Sequence, residues 1–348
     1  MKFIEKLKKR DVSYELIRVI AMSLIVFDHN AKFYLGGKTS TFLEPILVVG
    51  VTLFFMLSGK FAFKLNLEDK SLYKKYYWKK VLGLIIPILV FMAIKNWHIM
   101  YYNQHLAITP ISYLRHFGVA LVNGFNYMEY WFLYTLIALL IAVPFTAHMM
   151  QNMKDNDRKA FLIVSTVLAT LSVLIPSVLK VDFAVNYYFM GHIFFFYIGY
   201  IIEDIFKTKS SRIKLYTLGI IGLIATILMT KYGFMKGYKS YSPFYMYFTL
   251  ATFIGLRELG KKIPKKLESL VLFFGKHSLS VYMLHMIILY TLRDFNIFPI
   301  NPLGYFGCTI SAIVISLIIG ATIDETVVKS LQRITAKVFR LDKFLNQK

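Results

Sequence analysis

Apolar residues in this chain fall neither in strict alternation nor in single helical stripes. They run in long stretches of about twenty. That length at 1.5 Å per residue crosses the hydrocarbon core of a bilayer. Such windows place helices near 14–34, 44–63, 81–101, 130–150, 160–179, 186–205, 213–231, 242–259, 269–291 and 303–325. A transmembrane β-barrel requires segments of about ten residues with alternating polarity, and Ile213 to Met229 or Thr309 to Ala321 shows none. The expected fold is therefore all-α, a polytopic integral membrane helical bundle with about ten transmembrane helices. The first stretch carries Arg18, Asp28 and His29 and lacks a small-x-small cleavage site, so a retained first helix is expected rather than a signal peptide.

Composition agrees. Of 348 residues, 57% are hydrophobic and 17% aromatic, and the mean hydropathy is +0.56, against about 45–50% apolar residues in a soluble domain. The net charge of +22 would suggest a nucleic-acid ligand in a soluble chain. Here the cations follow topology instead. With the N-terminus inside, the segments 1–13, 62–80, 148–160, 203–214, 257–276 and 326–348 hold 30 Lys and Arg, the outer loops 9. The positive-inside rule then puts both termini in the cytoplasm. The weakest point is the outer segment with Lys231, Lys236 and Lys239. The basic inner faces also suit anionic lipid headgroups, and no nucleic-acid partner is expected. Richness in Lys, Ile, Phe, Tyr and Asn is a compositional association with an AT-rich bacterial genome, and the expected location is a bacterial cytoplasmic membrane.

The single cysteine, Cys308, allows no intramolecular disulfide and no thiolate metal motif. His98, His105, His116 and His148 have no ligand-like spacing, so no metal site is expected. No repeat or soluble segment breaks the pattern, and residues 1–348 read as a single transmembrane domain without an appended soluble one.

An ionisable side chain inside a membrane span costs at least about 2–3 kcal/mol, which makes each one a functional candidate. Arg18 and His29 lie eleven residues apart, within about 20° of one helical face and about 16 Å apart along the axis. A cavity lined by that stripe would bind an anion at one end and handle a proton at the other. Arg18 reaching to the inner headgroups and His29 bonding a neighbouring helix explain the pair equally well.

Further motifs follow in order: Phe54-Phe55-Met56-Leu57-Ser58-Gly59, the basic stretch Lys79-Lys80 leading to Pro87, Tyr130-Trp131-Phe132-Leu133-Tyr134, Gly199 in the aromatic sixth helix, and Ser278-Leu279-Ser280-Val281-Tyr282-Met283-Leu284-His285. With the Arg18-x10-His29 element, this series resembles the acyltransferase-3 family of membrane O-acyltransferases, which modify surface polysaccharide, lipopolysaccharide and peptidoglycan. The likeness runs along most of the chain. It departs from the family where Lys80 and Gly83 replace arginines spaced three apart, and where Lys60 follows Ser58-Gly59.

The resemblance implies transfer of an acyl group, most often acetyl, from acyl-CoA to a hydroxyl of a cell-surface or lipid-linked glycan. His29 would be the general base and Arg18 a phosphate-holding or orienting cation. Lys79, Lys80 and Ser58 would belong to the donor site, although positive-inside topology explains the lysines and close helix packing explains Ser58 as readily. Trp131 and Tyr134 would stack on the sugar, or form part of an aromatic belt. Tyr282 and His285, with Ser278 on the same helical face, would contact the acceptor or sit in an interhelical network. The chain would act directly on its acceptor, as a homo-oligomer or otherwise, or pass the group to a separate extracytoplasmic transferase. The competing reading is a proton-coupled transporter or flippase of an anionic or glycan substrate.

Overall fold

The computed structural model describes residues 10–104, 106, 108–123, 128–179, 191–232 and 242–341. Helices dominate, and no strand occurs among the described residues. The first helix, α1 (Val12–Leu47), starts where the Asp11 side chain accepts a hydrogen bond from the Ser13 N–H, and bends at Gly36 (φ 71°, ψ 169°), a conformation open to glycine because it lacks a Cβ. The chain then forms α2 (Val49–Ala62), α3 (Leu72–Lys80), α4 (Ile86–His98), α5 (Pro110–Asn123), α6 (Trp131–Asn152), α7 (Asp155–Leu179) and α8 (His192–Ile205). It ends with α9 (Lys209–Lys231), α10 (Pro243–Gly260), α11 (Lys265–Lys276), α12 (Ser278–Asp294), α13 (Pro302–Ile323) and α14 (Lys329–Val338).

Among the described residues, six continuous helical stretches are long and apolar enough to cross a membrane: Phe42–Ala62, Leu72–Tyr102, Trp131–Asn152, Asp155–Ile175, Lys209–Lys231 and Pro302–Val338. The pair α11 and α12, bent by 67°, makes a seventh if counted as one span. The part of α1 before Gly36 is not among these spans; it carries Glu15, Arg18, Asp28 and Lys32. Residues 186–190 of the expected sixth helix and the outer segment with Lys236 and Lys239 lie outside the described residues.

Three boundaries differ from the sequence expectation. Residues 269–291 do not form one helix, because the chain turns at His277 (φ −100°, ψ 10°) between the short α11 and the buried α12. The segment 102–129, between two expected spans, contains the helix α5. α3 joins α4 through a wide turn at Val81–Ile85. Pro87 has no N–H to return to the Gly83 carbonyl, and the ladder widens there to relieve the mismatch.

Packing radiates from α1, which touches α2, α9, α10, α11, α12 and α13. The polar helix is thus in the middle and the apolar ones around it. Ile163, Ile220 and Ile318 are exposed on the outer helices, the arrangement expected where lipid is the solvent. α2 and α8 cross at glycines: a Cβ on Gly59 would collide with the Phe196 carbonyl, and one on Gly199 with Met56 backbone. Small residues let membrane helices come this close.

Candidate active site

Two halves make up the site, a wide cavity and an imidazole pair behind it, of which His285 is buried and His29 half-buried. The cavity measures about 1010 Å³ and runs between α1, α2, α3, α6, α12 and the stretch that ends in α14. Its wall carries seven cations, Arg10, Arg18, Lys79, Lys276, Lys329, Arg333 and Lys337, against two carboxylates, Asp324 and Glu325. Between the charges lie apolar side chains, among them Phe54, Leu57, Leu133 and Leu136. Glu15 sits 3.3 Å from Arg10 and 3.8 Å from Arg18, while Glu325 pairs with both Lys276 and Lys329.

At one side of this space, the turn that ends α11 places His277 against Asp324. The His277 Nδ1 is 2.6 Å from the Asp324 carboxylate, which also accepts from the Ser280 hydroxyl at 2.6 Å. All three residues line the cavity. The Asp324 carboxylate, which only accepts, fixes the proton of the imidazole on Nδ1.

Tyr282 lines the cavity as well. Behind it stands His285, one turn further along α12, with the two ring centroids 5.7 Å apart. The His285 Nδ1 lies 2.5 Å from the Tyr282 carbonyl, and its Nε2 lies 2.8 Å from the His29 Nδ1. A carbonyl only accepts, so His285 donates from Nδ1 and, when neutral, accepts at Nε2. His29 then donates from Nδ1, and its own Nε2 keeps the lone pair. The chain of partners thus selects the tautomer able to take a proton.

Other side chains hold this pair in place. The Arg293 guanidinium donates to the Asn30 side-chain oxygen at 2.6 Å and to the His29 carbonyl at 2.9 Å. Asn30, fully buried, donates in turn to the Thr309 hydroxyl at 2.9 Å. On the opposite side, Lys95 and Glu129 form an ion pair at 2.5 Å with both side chains nearly inaccessible. The Glu129 carbonyl accepts from the Tyr282 hydroxyl, and the Tyr130 hydroxyl donates to the Met283 carbonyl at 2.8 Å.

Residues 11–321 match the model of a family described as an acyltransferase domain, Acyl_transf_3. The chain belongs to the acyltransferase-3 family. It is a membrane acyltransferase. No curated protein and no solved structure matches it.

Not every residue marked in the sequence of this acyltransferase reaches the cavity. Arg18, Ser58, Lys79 and Tyr282 line it. His29 and His285 meet each other behind it. Lys80 does not line it: its ammonium lies 5.3 Å from the Tyr76 ring centroid, because consecutive helical residues point about 100° apart. Tyr134 is committed elsewhere, donating to the Leu121 carbonyl at 3.1 Å. Trp131 is 40% exposed and packs 4.7 Å from the His192 ring. Neither aromatic faces the cavity.

Sequence reasoning missed Arg293, Asn30, Glu129, Lys95 and the pair of His277 with Asp324. Lys95 carried a usable signal, a charge inside an apolar span. His277 and Asp324 carried none, since 47 residues separate them in the chain.

Proposed function

We propose that this acyltransferase crosses the bacterial cytoplasmic membrane about ten times, with both termini in the cytoplasm. It moves an acetyl group from acetyl-CoA to a hydroxyl of a cell-surface or lipid-linked glycan. The observation that carries the reading is the junction of the cavity with the histidine pair: Tyr282 lines the cavity and contacts His285, whose Nε2 meets His29.

The cavity supports an elongated anionic donor. Cations exceed carboxylates on its wall, which also carries apolar side chains such as Phe54, Leu57, Leu133 and Leu136, a mixture that suits phosphates joined to a long neutral arm. Along α1, Arg18 and His29 are separated by about 16 Å. A donor that spans this distance needs such an arm, as coenzyme A has and acetyl phosphate lacks.

The reaction consists of attack by the acceptor hydroxyl oxygen on the thioester carbonyl. As the C–O bond forms, His29 Nε2 takes the hydroxyl proton. The C–S bond then breaks, and the proton passes to the departing thiolate to give the ester and free coenzyme A. Arg18 would hold a donor phosphate or orient the donor by charge-assisted hydrogen bonds, with Lys79 and Ser58 beside it.

The test is transfer or hydrolysis of radiolabelled acetyl-CoA by the purified chain in detergent, with His29→Ala as the comparison and its folding verified by thermal melt. Label release by the wild type that vanishes in folded His29→Ala supports the reading. Absence of donor binding and turnover, with membrane glycan extract supplied, would sink it and favour transport, to be measured as flux in proteoliposomes.

A further inference from the structure

The helix α14 lies beyond the residues that match the family, which end at 321. The sequence places it in the cytoplasmic tail, yet the structure folds it onto the cavity. It docks on the wide turn before α4, with Ala336 buried against Leu82, the Gln332 side chain donating to the Leu82 carbonyl at 2.8 Å and the Phe339 ring 4.8 Å from Trp78. Its two long faces differ in kind. Lys329, Arg333 and Lys337, four residues apart and hence on one face, line the cavity. Leu331, Ile334 and Val338 are exposed on the other, as in a helix lying at a membrane surface.

The charges on the inner face are not balanced locally. Lys329 is paired with Glu325. Arg333 and Lys337 have no acidic partner among the described residues. Arg333 and Lys337 are both exposed and share the cavity wall with Arg10; cations without counter-charge repel one another unless an anion joins them.

We propose that α14 is the phosphate-binding wall of the donor cavity, with Arg333 and Lys337 holding phosphate groups of a nucleotide-linked thioester. The inference rests on the acyl-CoA reading above and adds to it the residues that recognise the phosphorylated end. Arginine grips phosphate through paired N–H donors and lysine through a point charge. The donor would lie with its phosphates at α14 and its neutral arm along the apolar side chains toward Tyr282. A lipid headgroup offers the same phosphate chemistry, and the experiment separates the two sources.

The experiment uses the full chain in nanodiscs of zwitterionic phosphatidylcholine and, in parallel, in nanodiscs containing anionic phosphatidylglycerol, comparing wild type with Arg333→Gln/Lys337→Gln. Binding of coenzyme A and the KM for acetyl-CoA are measured beside the KM for S-acetylpantetheine, which has the arm and no phosphate. The double variant is expected to weaken coenzyme A and raise the acetyl-CoA KM roughly 10- to 100-fold, the scale of losing charge-assisted hydrogen bonds. Its kcat and its KM for S-acetylpantetheine stay near wild type, and Arg333→Lys/Lys337→Arg recovers most of the affinity. Equal losses with both donors would mean a structural role for α14 and overturn the proposal. So would unchanged coenzyme A binding, or a defect seen only in nanodiscs containing anionic phosphatidylglycerol, which would assign these cations to lipid. A wild-type chain that binds no coenzyme A refutes the acyl-CoA reading itself, whereas wild-type binding that survives the double substitution refutes only the role of α14.

Discussion

The imidazoles of His29 and His285 meet nitrogen to nitrogen at 2.8 Å, with their planes only 10° apart. The contact joins residues 256 positions apart in the chain. Because the Tyr282 carbonyl accepts a hydrogen bond from His285 Nδ1, the hydrogen bonds of the neutral pair run in one direction, with the free lone pair at the His29 end.

His29→Ala should therefore abolish acyl transfer, a loss of about 10²- to 10⁴-fold for a general base. His285→Ala should lower kcat less, because His29 keeps its imidazole and loses only the partner that selects its tautomer. Steady-state kinetics in detergent check this. An unchanged kcat in His285→Ala would show that the tautomer is set by something else.

Arg293 ties α12 to the segment of α1 that bears His29, through the Asn30 side chain and the His29 carbonyl. Arg293→Leu leaves the buried Asn30 oxygen without that donor, at about 1–3 kcal/mol for an unsatisfied buried group. The expected outcome is a lower melting temperature together with a reduced kcat. Wild-type stability in this variant would mean that the clamp is dispensable.

Gly59→Ala and Gly199→Ala each put a methyl group into the backbone of the facing helix, at Phe196 and Met56. Neither backbone can yield as a flexible side chain would, so α2 and α8 must separate. Both variants should melt well below the wild type in detergent. Gly83→Ala, where nothing lies within 4 Å, should match the wild type and serves as the control.

Lys95 and Glu129 neutralise one another in a nearly inaccessible setting. Lys95→Met or Glu129→Leu alone strands a buried charge and should cost about 3–5 kcal/mol. The double change Lys95→Met/Glu129→Leu removes both charges and should recover much of that loss. Thermal melts of the four proteins form the cycle, and additive losses would show that the two residues do not depend on each other.

What could be read in the linear chain follows from physics that is local. Hydropathy sums over a window, so the long apolar stretches announced a helical membrane protein, and the excess of cations on one set of loops is the ground of the proposed orientation. Arg18 and His29 stood out because a single helix spaces them by whole turns, and the ordered motifs around Ser58-Gly59 and Trp131 pointed to the family that the match over residues 11–321 establishes. What depended on neighbours in space stayed hidden. No window contains both His29 and His285, or Arg293 and Asn30, or His277 and Asp324. The folding of α14 back onto the cavity was hidden for the same reason, since a basic stretch after the last span reads as a solvated tail. Helix periodicity names the face on which a side chain sits. Which helix covers that face is decided by the packing of the whole bundle around α1, and there the partners of each charge were chosen.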